Sequence, residues 1–216
     1  MRPTASSRQQ ILDRIYTATH TIIPSSYADL PRAYIHRSSR TDVELVQLMV
    51  ERLREYEAEV VECAPQELPA VIAQQLAASG RHVFVAPAGL PAEWLSAGFE
   101  WRIDHDLSMA VIEQAEGVVT ASSAGIADSG TIVLLHSALE GRRLLTLLPD
   151  WHLIVLHTSQ IVETLPEFFD RCQQTLTLAT LVSGPSATAD IEMTRIKGVH
   201  GPRFLQVVLV HDTNPN

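Results

Sequence analysis

Apolar positions along this chain switch repeatedly between a helical and a strand-like period, and the switches mark its elements. Ile11, Leu12, Ile15 and Ala18 fall at helical spacing behind Ser6 and Ser7, which predicts an amphipathic helix over residues 7–19 that docks on the body or on a partner. From 22 to 40, Pro24, Pro31 and the polar run Arg37-Ser38-Ser39-Arg40 break any period. Residues 1–40 thus read as an N-terminal appendage, a helix and a wrapping loop, and 41–216 as one α/β domain. Thr41-Asp42-Val43-Glu44 forms a capping box, in which hydroxyl and carboxylate each satisfy a backbone amide. The helix it opens carries Val43, Val46, Val50 and Leu53 toward the core, with Leu45, Leu48 and Met49 widening that face. A strand over 58–63, a helix from Pro65 to Ala78 stopped by Gly80, and a strand over 82–86 follow. This β-α-β alternation predicts a mainly parallel sheet flanked by helices in three layers, with right-handed crossovers.

Farther along, 87–106 reads as a short helix and a weak strand, and 107–115 as a helix ending at Gly117. Strands at 118–119 and 131–135 flank the turn Ile126-Ala127-Asp128-Ser129-Gly130. Leu153 to Leu156 is a continuous apolar run that suits a strand covered on both faces. Thr164-Leu165-Pro166-Glu167 is a second capping box, opening a helix through about Gln173. The apolar runs 175–182 and 204–210 predict two buried strands.

Between those last strands lies the densest chemistry of the chain, Ser183-Gly184-Pro185-Ser186-Ala187-Thr188-Ala189-Asp190-Ile191-Glu192, closed by His200-Gly201-Pro202. Gly184 permits a bend or a close approach, Pro185 fixes φ, and Ser186 or Thr188 can cap a following helix. Such a turn either caps a helix, with Asp190 and Glu192 at its positive end, or holds an anionic group on Ser186, Thr188 and the amides after Gly184. On a helix, Asp190 and Glu192 point in different directions, and Asp190 is the one assigned to the site. Likewise Asp128, Ser129, Gly130 and Thr131 are either a plain polar turn or part of a pocket. His200 either braces the turn by hydrogen bonding or acts as an acid or base.

Composition narrows the function. Of the residues, 46% are hydrophobic and 19% charged, which is ordinary for a globular fold. A net charge of -9 and a pI near 5.4 argue against nucleic-acid binding, and Arg142-Arg143 reads as a solvated loop. No apolar run approaches membrane-spanning length and no secretory leader pattern opens the chain, so a cytoplasmic protein is expected. The two cysteines, Cys63 and Cys172, cannot supply the four thiolates of an ordinary iron-sulfur cluster and read as buried thiols. His105, His152 and His157 sit beside predicted elements, but no H-x-x-x-H or H-E-x-x-H pair occurs, so no metal site is expected. A G-x-G-x-x-G after a strand is also absent, which leaves a nucleotide cofactor of that kind unsupported.

The string GPSATADIE followed by GVHGP resembles the signature of the lactate-utilization protein C (LutC/YkgG) family, whose members consist of a LUD domain. GVVTASSAGIADSGTIVL over 117–134 resembles the family's other motif, and Leu147-Leu148-Pro149 fits the same pattern. The resemblance implies a fold of the NagB/RpiA/CoA-transferase-like type and a subunit of an L-lactate utilization system that oxidises lactate to pyruvate with iron-sulfur partner proteins. It implies one pocket shared by Asp128, Ser129, Gly130 and Thr131 with Gly184, Ser186, Thr188, Asp190 and Glu192, where Asp190, Asp128 and His200 are the candidate catalytic groups and the ligand is a small organic or phosphorylated anion. Glu is usual in the family where Asp128 stands, and a larger polar or basic residue where Ala187 stands. Clusters are expected only in the partner subunits. Two further readings stay open: a stand-alone enzyme on a phosphorylated sugar, CoA thioester or folate, by analogy of fold, and a purely structural or regulatory interaction protein.

Overall fold

A computed structural model describes residues 6–20, 29–31, 33, 40–172, 178–188, 196–198 and 200–212. The chain divides into two compact units, Met1–Tyr34 and Ile35–Asn216. In the first, helix α1 spans Ser7–Thr19, and Ser6 caps it by accepting a hydrogen bond from the Gln9 amide at 3.3 Å. None of its residues is buried, and Ile11, Leu12, Ile15 and Tyr16 are exposed. The wrapping loop expected over 22–40 lies largely outside the described residues.

The second unit opens with α2 (Asp42–Glu55), capped as expected: the Thr41 hydroxyl accepts from the Glu44 amide, and the Glu44 carboxylate accepts from the Thr41 amide at 2.8 Å. Its buried face is Leu45, Met49, Val50 and Leu53. Val43 is 66% exposed, because a stripe centred on 45, 49 and 53 leaves the first turn pointing outward. Then follow β1 (Glu59–Cys63), α3 (Leu68–Ala78), β2 (Val83–Pro87), β3 (Glu100–Asp104), α4 (Met109–Glu113) and β4 (Gly117–Thr120). The chain continues through β5 (Ala124–Ile126), β6 (Thr131–Leu134), α5 (Arg143–Leu147), β7 (Trp151–His157), β8 (Ile161–Val162), α6 (Leu165–Arg171) and β9 (Thr180–Val182). It closes with the two-residue pairs β10 (Ala187–Thr188) and β11 (Ile196–Lys197) and the strand β12 (Phe204–Val210).

Six strands form one wholly parallel sheet in the order β1-β12-β7-β4-β2-β3. Its middle strands, β7 and β12, are buried along nearly their whole length, which explains the continuous apolar runs 153–156 and 207–210 within them. One face packs on α3 through Leu68, Ile72 and Leu76 against Leu153, Val155 and Val208. The other face packs on α2 through Ile154, Leu156, Val207 and Leu209, and on α4 and α5 through Val85 and Val118. The mainly parallel α/β fold with flanking helices is therefore present.

A second sheet, β8-β5-β6-β9, takes up the strands expected over 131–135 and 175–182 as β6 and β9 and adds the unexpected β5 and β8; its β5-β6 and β6-β9 pairs are antiparallel. Ile132 and Leu134 from this sheet enter the core with α2, and Phe168 of α6 covers its other side. Two local expectations change here. Thr164 caps α6 through the Glu167 amide, but the Glu167 carboxylate reaches past it to the Glu163 amide at 2.9 Å. Arg142 is no solvated loop residue: it holds Asp104 with two bonds of 2.8 and 3.0 Å and also donates to the Leu107 carbonyl. Burial resists ionisation of Asp104, but these Arg142 bonds keep its carboxyl below the usual range.

The register of α2 is testable. Leu53→Ala, which empties a fully buried position, is expected to cost about 2–5 kcal/mol in urea unfolding, whereas Val43→Ala stays within roughly 0.5 kcal/mol. Equal losses at both positions would contradict the register.

Candidate functional site

The two motifs meet at the last turn of α2. After the single turn Ala127–Ser129, Gly130 takes φ +59, and a Cβ there would lie 2.7 Å from the Arg52 Cβ and 2.9 Å from its backbone carbon. Gly184 takes φ +80, and a Cβ there would lie 2.6 Å from the Tyr56 Cβ. Left-handed backbone and absent side chain are both needed at these positions. A hydroxyl chain then links the motifs: Ser129 Oγ meets Thr131 Oγ1 at 2.7 Å, and Thr131 Oγ1 meets Ser183 Oγ at 2.7 Å. Asp128 is exposed, its amide donates to the Glu163 carbonyl at 3.0 Å, and its charge reinforces that of Arg52.

Beyond Gly184 the chain runs as a hairpin where a helix start is expected: Ala187 and Thr188 pair antiparallel with Lys197 and Ile196. Ser186 is its clasp. Its amide donates to the Pro202 carbonyl at 2.8 Å, its carbonyl accepts from the Gly198 amide at 2.9 Å, and its hydroxyl accepts from the His200 amide at 3.0 Å. Asp190 and Glu192 lie outside the described residues. The strand ahead of the motif, β9, is an edge strand with Leu181 53% exposed, not a buried one.

A cleft of about 390 Å³ opens beside this hairpin, at the amino ends of β7 and β12. Gly184, Ser186 and His200 line it, as do Ser183 and Thr180, with Leu147, Val182 and Leu205 as apolar walls. Asp128, Ser129, Gly130 and Thr131 do not line it but connect to it through Ser183. Two of the lining residues missed by the sequence reading carry ionisable side chains. Arg143, at the start of α5, donates to the Thr180 hydroxyl at 3.0 Å. That hydroxyl also meets His136 Nε2 at 2.9 Å, and His136 Nδ1 donates to the Gly141 carbonyl at 3.0 Å. Arg143 is thus held by a polar relay, and among the described residues it meets no carboxylate.

His152 is the second. It is 1% exposed, and its Nε2 pairs with Thr120 Oγ1 at 2.8 Å. Among the described residues its Nδ1 has no partner. Burial alone pushes its pKa down to about 3, so the ring in the cleft is neutral at ordinary pH. The sequence signals were a polar residue inside the apolar run of β7 and the short Arg-Leu-Leu-Thr-Leu-Leu period at 143–148. No described lining residue is acidic, and among the described residues no group of three metal-ligating side chains gathers anywhere.

The buried imidazole sets a pH dependence. Its folded pKa lies below the unfolded value near 6.5, so its contribution to stability is full above that value and falls as pH drops toward 3. Each pH unit below about 6 is expected to remove about 1.4 kcal/mol more from the wild type than from His152→Gln, read from urea unfolding between pH 6 and 4. Parallel profiles for the two proteins would contradict the buried neutral ring.

The comparisons agree with this architecture. The chain is 37% identical over 209 residues to lactate utilization protein C of Deinococcus radiodurans, covering 95% of this chain and 97% of that one. It is 34% identical over 134 residues to lactate utilization protein C of Bacillus subtilis, covering 57% and 55% of the two chains. The crystal structure of a DUF162 family protein from Deinococcus radiodurans superposes with a TM-score of 0.66 at 34% identity, covering 79% of this chain and 99% of that one. The LUD domain profile matches residues 46–210, from the middle of α2 to the end of β12, and the chain belongs to the LUD domain family.

Proposed function

We propose that this chain is the cluster-free subunit of an L-lactate utilization system, working in the cytoplasm with iron-sulfur partner proteins. Its relatives in two bacteria carry the name lactate utilization protein C, and its own two cysteines are too few for a four-thiolate cluster. In the overall reaction lactate loses two electrons and two protons to become pyruvate, and the electrons pass to the partners. This chain contributes either a small-anion pocket or a surface on which the system assembles, and the cleft favours the pocket. The cleft beside the motif hairpin is the observation that carries the reading: in a chain of net charge -9, its described lining presents Arg143 and two histidines and no carboxylate.

Within this reading, Gly130 and Gly184 seat both motifs on α2, Ser129, Thr131 and Ser183 tie them together, and Ser186 clasps the hairpin. Asp190, Glu192, Thr188, Asp128 and His200 remain the motif groups assigned to the site by family pattern. Asp190 is the first of them to vary.

Lactate-dependent dye reduction by the two iron-sulfur partner proteins, reconstituted with and without this chain, tests the reading. The wild-type chain is expected to restore activity, and Arg143→Gln and Asp190→Asn to associate normally but lower it by about tenfold or more. Full activity with both variants would make the chain an assembly subunit only, and no stimulation by the wild type would overturn the lactate assignment.

A further inference from the structure

Arg143 is exposed and long, and an unheld guanidinium spreads over many rotamers. From α5 it donates to the hydroxyl of Thr180, the first residue of β9, and both residues line the cleft. Thr180 is bonded in turn to His136, which does not line it.

The partners fix the direction of every proton in this chain. A guanidinium only donates, so the Thr180 oxygen accepts from Arg143. A carbonyl only accepts, so His136 Nδ1, 3.0 Å from the Gly141 oxygen, carries its proton. In the neutral ring Nε2 is then an acceptor, and the Thr180 hydroxyl donates to it over 2.9 Å. Each group passes one donor forward, from Arg143 through Thr180 and His136 to the Gly141 carbonyl, and bonds aligned in this way polarise one another.

The backbone holds the ring in that place. His136 takes φ +58, a left-handed conformation that histidine tolerates better than most side chains. The amides on either side, of Leu135 and Ser137, both donate to Oε2 of the buried Glu140 at 2.9 Å. The Ala138 and Leu139 carbonyls accept from the Gly89 and Ala121 amides at 3.0 and 3.1 Å, which pins the loop to the chain just after β2 and β4. Conformations of this kind persist where their surroundings over-determine them, and they gather at functional sites. Glycine would serve a loop that had only to turn. The histidine ring adds two bonds, one of which leads to the cleft.

We infer that His136 is a positioning residue for Arg143: held as the Nδ1–H tautomer by Gly141, it takes the Thr180 proton, turns that hydroxyl's lone pair to the guanidinium and fixes Arg143 at the cleft wall. It acts on a bound anion only through Arg143. This role rests on the proposed function only where activity is read, because the bonds do not depend on which anion binds.

Nitrogen NMR on the isolated full-length chain reads the relay directly. The wild type is expected to show His136 as the Nδ1–H tautomer, and to show the Arg143 guanidinium, assigned by its loss in Arg143→Lys, with slowed rotation. Asn also tolerates left-handed backbone, but its amide ends level with Nδ1 of the ring and leaves the Nε2 position empty. His136→Asn and Thr180→Val are therefore expected to free the guanidinium, and Thr180→Ser, which keeps the hydroxyl, to leave it held. The opposite tautomer, or Arg143 signals unchanged in both His136→Asn and Thr180→Val, would refute the positioning role. Should His136→Asn fail to fold in a urea titration, the two Thr180 variants decide by the same signals.

Dye reduction by the reconstituted system reads the consequence as a double-mutant cycle. His136→Asn and Thr180→Val are each expected to lower lactate-dependent activity by about three- to tenfold, Thr180→Ser to retain it, and His136→Asn combined with Arg143→Gln to lose no more than Arg143→Gln alone. A residue that only supports the fold would subtract equally from both backgrounds, and that result contradicts the inference. A wild-type chain that does not stimulate dye reduction removes the lactate reading, while the nitrogen spectra still decide the relay. A stimulating chain whose Arg143 rotates freely removes the relay alone.

Discussion

The close seating of two loops on the end of one helix governs the rest of this structure. Gly130 presses on Arg52 and Gly184 on Tyr56, one turn apart on α2, at separations that leave no room for a Cβ. Each glycine also has positive φ, so the close approach and the backbone turn are one requirement. The rest of α2 is fixed by Leu45, Met49, Val50 and Leu53 in the core. Its end is therefore a rigid platform, and the loops inherit that rigidity. The hydroxyl chain from Ser129 to Ser183 becomes possible only because both loops land side by side. The cleft in turn needs the hairpin that follows Gly184 and the amino ends of β7 and β12, which that hairpin adjoins.

The core and its polar inclusions divide the work in a way the energetics explain. A sheet buried on both faces gains from every apolar residue along β7 and β12, at about 25 cal/mol per Å² removed from water. His152 interrupts that pattern, and a buried imidazole lowers stability unless it stays neutral and finds a partner. Thr120 supplies the partner for one nitrogen. Glu140 solves the same problem differently: its buried carboxylate accepts from the Ser123 hydroxyl at 2.5 Å and from the Leu135 and Ser137 amides at 2.9 Å each. That carboxylate is satisfied on both oxygens and serves the loop after β6. His152 borders the cleft instead, and among the described residues its second nitrogen has no partner.

Much of the main sheet was legible because its signals are local. The capping box at Thr41, the stop at Gly80 and the unbroken apolar run of β7 each depend on neighbouring residues alone. The second sheet was legible only at β6 and β9, since β5 and β8 have three and two residues and show no period. Their pairing depends on tertiary neighbours such as Leu156, whose Cδ2 would lie 3.0 Å from a Cβ at Gly125. The motif glycines were readable as conformational points, but that both face α2 is a fact of packing over a long sequence separation. Arg143 illustrates the same gap. Its sequence neighbourhood looks like a basic pair in solvent, yet Arg142 turns inward to Asp104 while Arg143 turns to Thr180 and the cleft. Adjacent residues on a helix start point in different directions, so one charge braces the fold and the other stays available.

That division of the two arginines also resolves an electrostatic difficulty. A chain of net charge -9 repels a small anion at long range, which any anion site on it has to overcome. At physiological ionic strength the repulsion is screened beyond about 8 Å. Inside that distance the local groups decide, and around the cleft the described ones include the Arg143 guanidinium and the His152 ring, neutral through burial, and no carboxylate. The acidic groups with strong partners lie elsewhere: Asp104 with Arg142, Asp150 with Arg203, and Asp212 with His157. With these carboxylates paired away from the cleft, Arg143 meets no carboxylate among the described residues. It follows that raising salt weakens such a site less than it would a basic surface patch, since a guanidinium within bonding distance of its ligand is little screened.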